Sequence, residues 1–196
     1  MQWMTAGSGI IHQEMPKGDE RGRMGGFQLW ANLPASHKMM EPRYREIKDS
    51  QIPRVSLDDG ATVKIIAGEF NGVMGPVRDI VTDPAYFDVS VSPESEFIHS
   101  LPPGHIVLAY VIEGEARFDT GREVLIDQGH LVHYGDGNGI AVTTLGEPVR
   151  FLLVSGKPIG EPVAWYGPIV MNTEEELRLA FDEFHRGTFI KHGARP

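Results

Sequence analysis

Short runs of β-branched and aromatic residues, separated by Gly, Pro, Asp and Asn, make up most of the chain. Such runs recur every ~8–12 residues over long stretches, which is typical of antiparallel sandwiches and barrels. The pattern therefore predicts an all-β fold. The predicted strands are Gly9–Glu14, Gly26–Leu33, Thr62–Ala67, Tyr86–Val91, Ile106–Ile112, Glu115–Asp119, Glu123–Ile126, Leu131–Tyr134, Ile140–Thr144 and Val149–Val154.

One segment near the C-terminus has helical periodicity instead. Apolar residues recur on one face over Glu174–Arg186, which predicts an amphipathic helix. Thr173 and Glu176 have the spacing of a capping box, in which each side chain bonds the backbone N–H of the other residue. Gly187 is placed to adopt the left-handed conformation that ends a helix. The residues of the apolar face are Leu177, Ala180, Phe181 and Phe184.

Composition narrows the class of protein. The chain has 196 residues, with 18 basic and 27 acidic side chains and a formal net charge of −9. This acidic balance argues against direct nucleic-acid binding, which draws on Lys and Arg. No apolar run approaches the ~20 residues of a membrane span. The absence of cysteine excludes disulfides and thiolate metal sites, and it fits a cytoplasmic location.

The tripeptide His12-Gln13-Glu14 carries the clearest candidate chemistry. On a strand, residues i and i+2 share a face, so His12 and Glu14 could ligate one metal ion. An imidazole with a carboxylate and no thiolate suits non-haem iron, manganese or nickel. The alternative is a polar pair on a half-exposed strand, and spacing does not decide between the two. None of the other histidines forms an H-x-H pair, and each is most simply a surface or hydrogen-bonded residue.

Several longer motifs, spread over the whole chain, match one known family when they are taken together. They are Gln2–Pro16, Gln28–Pro34, Lys38–Tyr44, Tyr110–Glu115, Glu161-Pro162 and Gly167–Glu176. With these motifs the sequence resembles the pirins, which are iron-binding two-domain cupins.

The resemblance implies a fold of RmlC-like jelly-roll cupin barrels. For this chain it implies one complete C-terminal barrel, a partial N-terminal cupin and a C-terminal helix. The expected boundaries are a partial cupin at 1–46, a linker at 47–53 and the C-terminal cupin with its helix at 54–196. The chain is expected to be N-terminally truncated, because the family's early H-x-H pair is not found in it.

The resemblance also implies a metal centre. Pirins bind one metal, typically iron, through three His and one Glu in the N-terminal barrel, and His12 and Glu14 match the family's later H-x-E motif. The expectation is one Fe(II) per chain if the site is completed, with other divalent metals left open. Glu14 would have a catalytic role as well, as the carboxylate that accepts a proton from a flavonol hydroxyl.

The second barrel is expected to lack a metal. Compared with the cupin motif, Val132 stands where a His ligand should be, and Val107 stands where a Glu should be. His133 is one residue away from the ligand position, and a one-residue step on a strand turns the side chain to the opposite face.

Two kinds of function remain open. The first is quercetin 2,3-dioxygenase-type oxidation of a small aromatic substrate such as a flavonol. The second is a non-enzymatic regulatory role through a protein partner, with an inactive truncated paralogue as its variant. A homodimer is a further expectation, in which His99 or His105 of a neighbouring copy would complete the metal site.

Overall fold

A computed structural model of the chain describes residues 1–13, 15, 18–121 and 123–191. Among these residues, strands dominate, with one α-helix and two short 3-10 turns at Ala35–His37 and Asp49–Gln51. The helix, α1, is Glu174–His185. The strands are β1 Gln2–Thr5, β2 Arg43–Glu46, β3 Arg54–Ser56, β4 Ala61–Ala67, β5 Glu69–Phe70, β6 Val73–Met74, β7 Ala85–Val91, β8 Glu96–Ser100, β9 Ile106–Ala116, β10 Ile126–Asp127, β11 Leu131–His133, β12 Gly139–Thr143, β13 Val149–Gly156, β14 Ala164–Tyr166 and β15 Ile169–Met171.

The chain divides into two compact units. The first, called the central unit below, is Glu46–Pro158 together with Met1. The second, called the two-ended unit, joins Gln2–Arg45 to the C-terminal segment that begins at Ile159. This spatial grouping places α1 with the N-terminal segment, whereas the boundaries expected from the family follow chain order and place it with the second barrel.

The central unit is built on one large antiparallel sheet. Its strand order is β10-β9-β13-β7-β4-β3, and β11 pairs with β9 beside β10. Two smaller pairs, β8 with β12 and β5 with β6, complete the unit. The bends needed to wrap such a sheet coincide with breaks in register, between Arg150 and Phe151 on β13 and between Ile65 and Ala67 on β4.

The core of the central unit follows from period-2 alternation. Phe87 and Val89 on β7, like Val63 and Ile65 on β4, are fully buried and occupy alternate positions. Phe97 on β8 meets Phe151 on β13 with ring centroids 6.1 Å apart, so the small sheet packs on the large one. The prediction of an all-β fold is confirmed. Six predicted strands agree with observed ones apart from their ends: Thr62–Ala67, Tyr86–Val91, Ile106–Ile112, Leu131–Tyr134, Ile140–Thr144 and Val149–Val154 match β4, β7, β9, β11, β12 and β13.

The two-ended unit is smaller and holds α1. Here β1 pairs with β2, β14 pairs with β15, and α1 packs against β14 and β15. The predicted helix is confirmed, and so is its capping box: the Thr173 hydroxyl accepts from the Glu176 N–H, and the Glu176 carboxylate accepts from the Thr173 N–H. Gly187 has φ = +72°, as predicted for a left-handed end. Thr188 N–H then bonds the carbonyl of Glu183, which closes a Schellman motif.

Two predicted strands are wrong among the described residues. Neither 9–13 nor 26–33 forms a strand, and Glu14 lies outside the described residues. The sequence alternates suitably, but a strand also needs a neighbour to satisfy its backbone, and none pairs with these segments. Their apolar side chains are accordingly exposed, as Ile11 and Leu29 show.

Smaller corrections concern β9 and β10. The predicted strand Glu115–Asp119 is the end of β9, extended only by a bridge at Arg117. The predicted strand Glu123–Ile126 is wrong over 123–125, since β10 is Ile126–Asp127. Among the described residues, no helix is long and apolar enough to cross a membrane.

Candidate functional site

His12 lies on an exposed, irregular segment of the two-ended unit. His12 and Glu14 would share a face on a strand, but residues 9–13 do not form one. Glu14 lies outside the described residues, so the H-x-E pair stays a prediction. The described part of this region therefore offers one imidazole, presented on the surface.

A tight turn fixes the chain just before His12. Gly9 N–H bonds the carbonyl of Ala6, and Ser8 N–H bonds the carbonyl of Met40 at 2.9 Å. Gly7 has φ = +51°, and a Cβ on it would lie 2.2 Å from the Met40 oxygen. Because any side chain there would collide with backbone, glycine is required for the 6–9 turn to rest on the 38–40 turn.

A buried lysine lies at the centre of this contact region. Lys38 is only 6% exposed, and its ammonium donates to Asn32 Oδ1 at 2.6 Å. The nearby Glu161 Oε2 accepts from Ala35 N–H at 2.6 Å and from Asn172 Nδ2 at 3.1 Å. Hydrogen bonds thus tie the N-terminal and C-terminal segments of the two-ended unit to each other.

Burial and neighbouring charges shift the pKa of Lys38 in opposite directions. Burial lowers the pKa of its ammonium, and the carboxylates of Glu161 and Glu176 raise it in part. Sequence reasoning missed this lysine, because a single Lys between His37 and Met39 carries no local signal of burial. The Glu161-Pro162 and Asn172-Thr173 motifs that surround it were noticed only as family markers.

The second barrel behaves as its sequence predicts at three positions. Val107 is buried, Val132 packs against the core, and His133 is exposed. The two positions where a cupin would place metal ligands are therefore apolar inside the barrel. His99, expected to be a surface or hydrogen-bonded residue, instead lies half-buried against aromatic rings.

Three phenylalanines surround the His99 imidazole. Its ring centroid lies 5.2 Å from Phe70, 5.6 Å from Phe87 and 6.2 Å from Phe97. Burial lowers the pKa of His99, so its imidazole is neutral at pH 7. The signal that could have found it is alternation: it stands two residues after the buried Phe97.

No three His, Asp or Glu side chains cluster closely enough to hold a metal ion within 1–13, 15, 18–121 and 123–191. The described donors thus do not by themselves fit an iron centre, which needs several imidazole and carboxylate ligands. His12 is the described residue that the family motif assigns to a metal, and the other donors would have to come from outside this set.

Comparison with known proteins decides the family. A model described as "Pirin C-terminal cupin domain" matches residues 86–190, and one described as "Pirin" matches residues 1–31. The first covers more than half of the chain. The chain belongs to the pirin family.

Individual pirins extend the match over nearly the full chain. A pirin-like protein of Caulobacter vibrioides is 43% identical over 96% of this chain and 67% of its own length. Pirin-1 of Arabidopsis thaliana is 40% identical over 94% of this chain and 63% of its own length. This chain spans about two thirds of these relatives.

The crystal structure of a quercetin 2,3-dioxygenase from Acinetobacter baumannii is similar in fold. It superposes with a TM-score of 0.81 and 30% identity, over 96% of this chain and 66% of the dioxygenase. The cupin fold expected from the sequence is confirmed by this likeness and by the matched C-terminal cupin model.

Proposed function

We propose that this pirin is a metal-dependent dioxygenase of the quercetin 2,3-dioxygenase type, with a flavonol-like polyphenol as its substrate. The observation that carries the proposal is the similarity to the Acinetobacter baumannii quercetin 2,3-dioxygenase, which extends over 96% of this chain. Iron is the expected metal, as implied by the family, and manganese or nickel would suit the same donor types.

In this proposal His12 supplies one imidazole ligand and Glu14 one carboxylate ligand. His12 follows the 6–9 turn, which Ser8 N–H anchors to the Met40 carbonyl. Glu14 would also take the proton of a flavonol hydroxyl, since a carboxylate is a suitable general base for a phenol. Donors beyond the described residues are required to complete the ligand set.

Metal content after anaerobic Fe(II) loading and desalting tests the proposal. The wild-type chain is compared with His12→Ala and with His37→Ala, which removes an exposed imidazole from the same unit. We expect up to one iron per chain in the wild type and in His37→Ala, and loss of iron in His12→Ala. Half an iron per chain would indicate a site shared by two copies.

Activity is then measured as loss of quercetin absorbance in air. We expect turnover only in samples that retain iron, and none in His12→Ala. Iron near zero in all three proteins, or equal iron in His12→Ala and the wild type, would show that His12 is not a ligand and would end the proposal.

A regulatory role without turnover is the second candidate. It is favoured by the exposure of Trp30 and Trp165, at 57% and 65%, whose ring centroids lie 6.3 Å apart in the two-ended unit. Exposed aromatic side chains are typical of interaction sites. A chain that binds no iron, but whose binding of a regulatory protein is abolished by Trp165→Ala, would support this role.

A further inference from the structure

One end of the central unit's barrel gathers three polar side chains: His99, His105 and Tyr134. Gly139 opposes Ser100, so β8 ends where β12 begins. The Leu101 N–H bonds the carbonyl of Asn138 at the same place. These three residues are called the barrel-end cluster below.

Two side chains of the cluster, His99 and Tyr134, belong to the inner face. His99 is two residues after the buried Phe97 on β8, and His105 immediately precedes β9, which begins at Ile106. Tyr134 is two residues after Val132, and both pack against the core. The Tyr134 N–H bonds the carbonyl of Val107 at 3.1 Å, which places the Tyr134 strand end beside the start of β9.

Two atoms of the cluster are buried without a hydrogen-bond partner among the described residues: Tyr134 Oη and His105 Nδ1. Native proteins pair almost all of their buried polar atoms, because an unpaired one loses the hydrogen bonds of water without replacement. Two such atoms close to the start of β9 therefore point to a partner that the described chain does not supply.

The surroundings define the chemistry of that partner. The Tyr134 pKa is raised, first by burial and then by the carboxylate of Asp119, so its hydroxyl stays protonated. The carboxylate of Asp119 also disfavours an anion in this place. His99 is neutral and packs on Phe70, Phe87 and Phe97. The protonated Tyr134 hydroxyl and the neutral His99, next to aromatic rings, suit an uncharged aromatic molecule with a hydroxyl group.

The inner face is not fully buried at this end. His99, Val132 and Tyr134 point inward and yet are only partly buried. We propose that the barrel-end cluster binds a small uncharged phenol, whose hydroxyl exchanges hydrogen bonds with Tyr134 and His105. This site uses neither His12 nor Glu14, and it is independent of the function proposed above.

Calorimetric titration of the metal-free chain with phenol tests the proposal. The informative variant is Tyr134→Phe, which removes the hydroxyl and keeps the aromatic ring. The matched control is Tyr86→Phe, which makes the same change on the outer face of β7. We expect saturable binding to the wild type and to Tyr86→Phe. In Tyr134→Phe we expect affinity about tenfold lower, the effect of one hydrogen bond to a buried group.

Stability in urea without phenol separates a ligand site from a structural water site. An unpaired Tyr134 hydroxyl is a defect in the free protein, so Tyr134→Phe is expected to raise the unfolding midpoint. A lower midpoint would mean that the hydroxyl already bonds an ordered water, and the proposal would be overturned. It would also be overturned if phenol did not saturate the wild type, or if Tyr134→Phe and Tyr86→Phe bound phenol equally.

Discussion

The neutral His99 makes the stability of the central unit depend on pH. Burial among three phenylalanines lowers its folded pKa below the ordinary value of 6.5, and no neighbouring charge contributes to that shift. The unfolded chain therefore binds a proton at a higher pH than the folded chain. The contribution of His99 to the free energy of unfolding is fully present above pH 6.5. It falls as the pH drops below 6.5, until the imidazole of the folded protein also binds a proton.

The size of the effect has an upper limit. One proton taken up by the unfolded state changes the free energy of unfolding by at most about 1.4 kcal/mol per pH unit. Between pH 7.5 and 5.5, His99 alone therefore lowers stability by at most about 1.4 kcal/mol, because most of the loss begins below pH 6.5. His99→Leu removes this loss while keeping an apolar side chain against the phenylalanines.

Urea unfolding between pH 5.5 and 7.5 measures the prediction. Far-UV circular dichroism is the suitable signal, because all three tryptophans lie in the two-ended unit. The stability of the wild type relative to His99→Leu should decrease as the pH falls. The stability of His133→Leu, a variant at an exposed position on β11, should change with pH as that of the wild type does. If the gap between the wild type and His99→Leu does not change with pH, the assignment of a neutral, buried imidazole is refuted.

Three further predictions concern stability and positioning. Asp88→Asn should destabilise the central unit by about 2 kcal/mol, because it breaks a charge-assisted pair in which both Asp88 oxygens accept from Arg150 at 2.9 Å. Urea unfolding followed by circular dichroism checks this prediction, and a loss below about 0.5 kcal/mol would contradict it. Thr173→Ala should lower the free energy of unfolding by about 1 kcal/mol, because the helix cap is lost. Unfolding followed by tryptophan fluorescence measures this loss, and Thr173→Ser should keep most of the stabilisation that the cap provides. Gly7→Ala should abolish iron retention, because the added Cβ collides with the Met40 carbonyl; iron content equal to that of the wild type would refute this role.

The parts of the fold that sequence predicted are those whose signals are local. The cap, the apolar face and the terminal glycine of α1 all lie within 173–187, so the helix could be placed to within a residue. The long strands of the central unit alternate clearly because one face is buried. Strands of two to four residues, such as β5 and β14, are too short for alternation to be recognised.

The candidate site was harder to predict because it depends on distant contacts. Residues 9–13 of the expected strand Gly9–Glu14 do not form a strand, because no described strand pairs with them. Composition does not reveal whether a pairing strand is present. The ammonium of the buried Lys38 is influenced by the carboxylate of Glu161, about 120 positions away, and no local pattern indicates this. The motif at His12 identified a family trait, whereas the surroundings of His12 follow from tertiary structure.

The two-ended unit has a consequence for synthesis on the ribosome. Gln2–Arg45 is made first, but its companion segment begins only at Ile159, after the whole central unit has been translated. At about 5–20 residues per second, roughly 6–23 s pass between synthesis of Arg45 and synthesis of Ile159. During this interval the exposed tryptophan of the N-terminal segment, Trp30, is available to chaperones. Apart from Met1, the central unit is contiguous and can fold co-translationally, so this protein is expected to mature from the middle outward.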